Sequence, residues 1–389
     1  MGDVVLSAGV RQNLLSLQNT AHLMSVTQNR LATGKKVNTA LDNPTNFFTA
    51  QSLDNRASDI NNLLDGIGNG VQVLQAANTG ITSLQKLVDT AKSIANQVLQ
   101  SPTGYSARSS VSSVAALGGT ATNLVDGTTI KSGDVLAIAA SAGQPAFSFT
   151  FGASTSLAQL NTALSASNLS ATLDSSNKLV ITTTNDAASS TIGAVTFTNT
   201  GGGTATFGAA GTAPVADAAS QSARAALVAQ YNNTIAQITT TAQDASFNGV
   251  NLLSGDSLKL TFNETGKSTL SITGVKFDAA GLGLNALTAG TDFLDNNSAN
   301  KVISTLSSAS SALRSQASTL GSNLSIVQIR QDFSKNLINV LQTGSSNLTL
   351  ADTNEEAANS QALSTRQSIA VSALALANQS QQSVLQLLR

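Results

Sequence analysis

Residues 367–389 read QSIAVSALALANQSQQSVLQLLR, and from Gln367 to Leu388 no residue carries a charge. Ile369, Ala373, Leu376, Val384 and Leu387 nevertheless share one helical face, the mark of an amphipathic helix. Ten of these 22 residues are Ser, Asn or Gln, too polar for the hydrocarbon of a bilayer. The stretch therefore needs an apolar protein partner rather than lipid, and the identity of that partner decides the fold.

A matching helix opens the chain. Val10, Leu14, Leu17, Ala21, Met24 and Leu31 step by four and three, with Gln28 the one polar member, as in a coiled-coil seam. The run stops at Gly34, a C-terminal cap, with Lys35 and Lys36 suited to the negative end of the helix dipole. A second helix is expected to open at Asn43-Pro44. Its stripe runs through Leu53, Ala57, Ile60, Leu64, Ile67, Val71 and Leu74, then from Ile81 to Val98 after a phase slip near Asn78. Gly66, Gly68, Gly70 and Gly80 each cost such a helix about 1 kcal/mol, which predicts close approach of another backbone.

The middle of the chain differs in character. Only seven charges fall between residues 101 and 214, among many Gly, Ser and Thr residues. Alternation in AFSFTFG and a hairpin centred on residues 175–177 predict strands, with a short helix capped by Ser156 between them. Helix resumes over 217–244, a hairpin is expected at 257–263 and 268–275, and a long striped helix over 298–341. Thr353 and Glu356 form the pattern of a capping box opening the last helix. The fold class is α+β: a long antiparallel coiled-coil or helical-bundle core from both termini plus a β-hairpin, with an inserted β-rich outer domain. Five segments are expected: 1–40 and 346–389 as the inner coiled coil, 41–100 and 216–345 as a second helical domain with the hairpin, and 101–215 as the surface-exposed β-rich domain.

Composition excludes several functions. Charged residues make up 11% and the formal net charge is −1, which gives no basis for electrostatic binding of nucleic acid or an acidic membrane. There is no Cys, and His22 is the single histidine, which excludes thiolate metal sites and histidine clusters and leaves no convincing Ser/His/Asp triad. No enzyme activity, cofactor or metal is expected. The start MGDVVLSAGVRQNLL lacks the pattern of a cleaved secretory signal.

One seam between the first and last helices does not offset the entropy of ordering them. Off-stripe residues such as Leu15, Leu23, Val26, Leu374 and Leu385 point elsewhere, so copies of the chain are expected to supply the missing burial. The eleven stripe residues Val10, Leu14, Leu17, Ala21, Met24, Leu31, Ile369, Ala373, Leu376, Val384 and Leu387 are the candidate assembly site.

Three segments carry a family resemblance. NRLATGKKVNTALDNPTNF (29–47), SFNGVNLL (246–253) and ALALANQSQQSVLQLLR (373–389) resemble, in order, the signature elements of bacterial flagellin. The stretch TSLAQLNTALSASNLSATLDSSNKLVITT is similar to the flagellin hook IN motif. The resemblance implies a subunit that leaves the cell through a type III export channel and polymerises into an extracellular filament used for swimming. Implied partners are the chain itself, other flagellins, junction and cap proteins and an export chaperone. The hook–filament junction protein is the alternative, and a filament-borne zinc peptidase would need an H-E-x-x-H helix that one histidine cannot make. Where many flagellins read LQRVRELA, this chain has Leu84-Gln85-Lys86-Leu87-Val88-Asp89-Thr90-Ala91, which implies weak or absent recognition by the vertebrate innate receptor.

Overall fold

The computed structural model describes residues 8–387. The chain divides into two compact units, Met1–Asn69, Lys259–Leu270 and Ile326–Arg389 in the first, and Gly70–Leu258 and Ser271–Ser325 in the second. Two continuous helices, α2 (Pro44–Gln100) and α5 (Asn296–Thr349), contribute to both.

The first unit pairs α1 (Ala8–Thr33) with α6 (Thr353–Leu387). Gly34 ends α1 at φ +69°, the left-handed turn for which glycine carries no side-chain penalty. Asn43 caps α2 by accepting the Asn46 N–H at 3.0 Å, as the sequence implies. The capping box expected at α6 does not form. Asp352 Oδ1 instead accepts the N–H groups of Asn354 and Glu355 at 2.9 and 3.3 Å, and Glu356 turns to Arg30. A carboxylate at this helix start is the better acceptor, and Glu356 gains a cation in place of a backbone donor. Within this unit the lower part of α2 packs on the end of α5 through Ala57, Ile60, Ile338 and Leu341.

Along α2 the positions 53, 60, 67, 74, 81, 88 and 95 recur every seven residues and are buried or half-buried throughout. The second core column lies four residues after each of these up to Val71, then three residues after them at Ala77, Leu84, Ala91 and Val98. The expected phase slip is thus a change of column within an unbroken helix. Of the glycines expected to admit a close neighbour, Gly80 does: a Cβ there would meet Ala245 Cβ at 2.6 Å and Leu253 Cδ1 at 2.7 Å. Gly66 has nothing within 4 Å and Gly68 only Gln331 Nε2 at 4.0 Å, so the expectation fails at both, which lie off the core columns.

In the second unit the upper part of α2 is joined by α4 (Ala218–Asp244), capped by Asp217, which accepts the Ser220 N–H at 3.1 Å. Asn251 donates to the Ala242 and Gln243 carbonyls at 2.8 Å each and closes the far end of α4. Between α2 and α4 lies the insertion. Strands β1 (Tyr105–Ala107) and β8 (Val215–Ala216) pair antiparallel at its neck. One antiparallel sheet has the order β2 (Ser110–Ser112), β6 (Leu179–Thr183), β5 (Leu169–Leu173). A second has the order β4 (Phe147–Thr150), β3 (Val135–Ile138), β7 (Val195–Thr198). Helix α3 (Leu157–Ser165) carries the full Ser156/Gln159 capping box. Leu136, Ile138, Phe151, Leu160, Leu164, Leu169 and Ile181 fill the core between these elements.

Two aspartates hold the insertion's long loops. Asp126 Oδ1 accepts the N–H groups of Thr128, Thr129 and Ile130 at 2.8, 2.7 and 3.1 Å. Burial pushes the Asp126 carboxyl up, but the Thr129 hydroxyl and these backbone donors outweigh it and hold the group well below the usual carboxylate range. Asp134, fully buried, accepts from Lys131 and Gly201 N–H at 2.8 Å each. Strands β9 (Ser257–Thr261) and β10 (Thr269–Thr273) form the expected hairpin. Helix α5 is longer than the expected 298–341, because small seam residues Ser345 and Thr349 are also buried and extend the repeat without strong hydrophobicity.

Candidate assembly surface

The pairing of α1 with α6 starts at a backbone clasp. Lys36 N–H donates to Thr349 O at 2.7 Å and Ala351 N–H to Gly34 O at 3.0 Å, making an isolated antiparallel bridge between Lys35 and Leu350. One turn away, Arg30 Nη1 lies 3.0 Å from Glu356 Oε1, with the glutamate side chain nearly buried. From there the helices run antiparallel.

The face that α6 turns inward comprises Glu356, Ser360, Leu363, Gln367, Ala370, Leu374 and Ala377, all buried or half-buried and spaced alternately by four and three. On α1 the inward positions are Val10, Asn13, Leu17, Thr20, Met24, Thr27 and Leu31. This intramolecular seam is thus polar at Asn13, Thr20, Thr27, Ser360, Gln367 and the ion pair.

The stripe residues distribute accordingly. Val10 is buried, and Leu17, Met24 and Leu31 are half-buried at the seam. Leu14 and Ala21 are exposed, because the second column of α1 falls three residues after the first rather than four. On α6, Ile369, Ala373 and Leu376 are exposed, about a third of a turn from the seam. The side chains of Val384 and Leu387 lie outside the described residues. Leu15 and Leu23 of α1 join Ile369 and Ala373 of α6 in lining an open groove beside the seam.

A further exposed stripe was hidden by the stronger repeat beside it. Ile326, Ile329, Phe333 and Val340 of α5, at 43, 66, 58 and 66% exposure, recur at intervals of three, four and seven on a face turned away from the helix's buried seam. The sequence signal is their own spacing, masked by Leu306, Leu313, Leu320 and Val327 in the buried columns. Neighbouring groups fix this region: Arg56 Nε donates to Glu264 Oε1 at 2.6 Å, and the Arg330 guanidinium sits 5.7 Å from the Phe262 ring centroid. Among the described residues no group of three His, Cys, Asp or Glu could hold a metal, and no helix is long and apolar enough to cross a membrane.

The helices that carry these surfaces are the ones recognised by comparison. The family model for the bacterial flagellin N-terminal helical region matches residues 9–137, and that for the bacterial flagellin C-terminal helical region matches residues 303–388. The chain belongs to the bacterial flagellin family. It is 34% identical over 166 residues to flagellin FljM of Caulobacter vibrioides, covering 42% of this chain and 59% of that protein. Flagellin A of Rhizobium meliloti is 36% identical over 88 residues, 23% of this chain and 22% of that one. The flagellin of Brucella melitensis is 26% identical over 170 residues, 41% and 60% of the respective chains. The matched part of this flagellin thus spans about three fifths of the length of its Caulobacter and Brucella relatives. The matched regions hold α1, α5 and α6 together with α2 and the first strands of the insertion.

Proposed function

We propose that this flagellin is the structural subunit of a bacterial flagellar filament, secreted unfolded and polymerised outside the cell for swimming. The observation that carries the reading is the apolar surface that the α1/α6 pair leaves uncovered beside a seam that is itself only partly apolar. That seam holds threonines, a glutamine and an ion pair, while Leu15, Leu23, Ile369 and Leu376 face outward. Exposed apolar rows of this kind mark interaction surfaces, and a homopolymer supplies the same helices many times over. In this reading 1–40 and 346–389 form the inner coiled coil, and 41–100 and 216–345 the second helical layer. Residues 101–215 face solvent, with α3, β5 and β6 making the hook IN-like unit. The nine stripe residues whose side chains are described then divide their work, Val10, Leu17, Met24 and Leu31 within the subunit and Leu14, Ala21, Ile369, Ala373 and Leu376 between subunits. The α5 row of Ile326, Ile329, Phe333 and Val340 adds a second intersubunit surface.

Other flagellins, junction and cap proteins and an export chaperone are the expected partners. Innate-receptor recognition is expected to be weak. In residues 84–91 Leu84, Val88 and Ala91 are buried, leaving Lys86, Asp89 and Thr90 outside. Purified protein is expected to form micrometre-long filaments under the electron microscope, and removal of residues 367–389 to abolish them while the insertion stays folded. Short capped segments would favour the junction protein instead, and normal filaments from the truncated chain would refute the role given to α6.

A further inference from the structure

Arg224, in the second turn of α4, is fully buried. A buried guanidinium ordinarily sits against a carboxylate. Here its donors go to four backbone carbonyls: Nε to Pro102 O at 2.6 Å, Nη1 to Phe293 O at 2.5 Å, and Nη2 to Val98 O at 3.0 Å and Ser101 O at 2.9 Å. Val98, Ser101 and Pro102 lie at the end of α2, where the chain leaves the helix for the insertion, and Phe293 lies just before α5. One side chain therefore gathers the last carbonyls of α2, the start of α4 and the approach to α5, at the negative end of the α2 dipole.

The neck of the insertion is built on the same spot. Gly104 N–H donates to Leu294 O at 3.2 Å, and Asp217 N–H to Gly104 O at 3.0 Å. A Cβ on Gly104 would lie 3.0 Å from Gln221 Cγ and 3.3 Å from Leu294 Cδ2. Asp295, nearly buried, follows Phe293 by two residues and contributes a favourable charge to Arg224 without a direct ion pair. Its Oδ1 caps α5 by accepting Ser298 N–H at 2.9 Å, and its Oδ2 accepts the Ser189 hydroxyl, from the body of the insertion, at 2.5 Å.

We propose that Arg224 is the positioning residue that fixes the orientation of the β-rich insertion on the helices of its own unit, with Asp295 carrying the constraint to Ser189. The planar fork suits this role: it holds several carbonyls in fixed directions, which a lysine ammonium does not. Such a lock makes every copy of the chain present its insertion at the same angle.

Because the chain has no cysteine, spin labels at Ser93→Cys on α2 and Ser175→Cys in the β5–β6 turn, both exposed, report that angle through their distance distribution. The otherwise unaltered chain is expected to give one narrow distribution. Arg224→Lys, which keeps the charge but loses the fork, is expected to widen it about twofold. Ser189→Ala is expected to widen it to a lesser degree with the melting temperature unchanged. A lowered melting temperature with unaltered width in Arg224→Lys would reduce Arg224 to a packing role and overturn the proposal. Unaltered width in Ser189→Ala would overturn the relay through Asp295. Should Arg224→Lys fail to fold, Ser189→Ala and Asp295→Asn decide, and widths unaltered from the parent chain in both would refute the idea.

Discussion

At the scale of single residues, partly or fully buried polar groups do more than their side-chain type announces. Glu356 looks like a helix-start residue in the sequence, yet its carboxylate is turned across to Arg30. Neutralising it as Glu356→Gln leaves Arg30 without its partner and is expected to cost about 1–2 kcal/mol. The double exchange Arg30→Glu with Glu356→Arg should recover most of that loss in chemical denaturation, and failure to recover would show that the pair does not set the register. Tyr231 offers a pH test. Burial, aided by the nearby charge of Asp292, pushes its hydroxyl up to about 12 from 10.0 in the free side chain. The fold therefore favours the neutral phenol, so its contribution is complete below pH about 10 and disappears as pH rises through about 12. Tyr231→Phe keeps the edge-on contact with Phe293 and is expected to move the alkaline unfolding midpoint upward by circular dichroism. An unmoved midpoint would contradict the assignment. Arg224 shows the limit of inspection at this scale: nothing in SQSARAAL distinguishes a solvent-facing arginine from one that binds four carbonyls, because its acceptors come from segments about 70 and 120 residues away.

At the scale of elements, periodicity recovers what repeats and misses what depends on a neighbour. Gly34, the Asn43 cap, Asp217, Ser156 and the β9–β10 hairpin are legible because local chemistry decides them. The seam of α1 is not, because Leu14 and Ala21 carry no polar group where Asn13 and Thr20 do, while the structure turns Asn13 and Thr20 inward. Hydrophobic spacing marks an apolar face without saying whether the same chain or another covers it. The α2 glycines allow a direct comparison. Gly80→Ala would force a Cβ to 2.6 Å from Ala245 Cβ and is expected to cost about 1–3 kcal/mol. Gly66→Ala meets nothing within 4 Å and should gain up to about 1 kcal/mol through helix propensity. Thermal unfolding of the two variants distinguishes them, and equal shifts would mean that Ala245 moves aside.

At the scale of the whole molecule, the proposed assembly role of the outward apolar rows predicts that folding and assembly can be separated. Leu376, 72% exposed, is expected to tolerate Leu376→Glu within about 0.5 kcal/mol in the isolated chain, while light scattering of the same variant shows no polymer growth. Filaments of ordinary length from Leu376→Glu would remove this row from the intersubunit contact. The order of helices, insertion and hairpin is readable from the sequence because composition changes sharply near residues 101 and 215, whereas the grouping into two compact units depends on contacts between residues hundreds of positions apart. The change of column in α2 bears on how the chain reaches one alignment out of many. A rod with an unvarying seven-residue pattern could slide along its partners by a whole repeat and still match. Because the column after Val71 is rotated by one residue, such a slide would bring the mismatch against a partner shaped for the other half. The helix therefore behaves like a key with one shifted tooth, which fits the surrounding chain at a single depth.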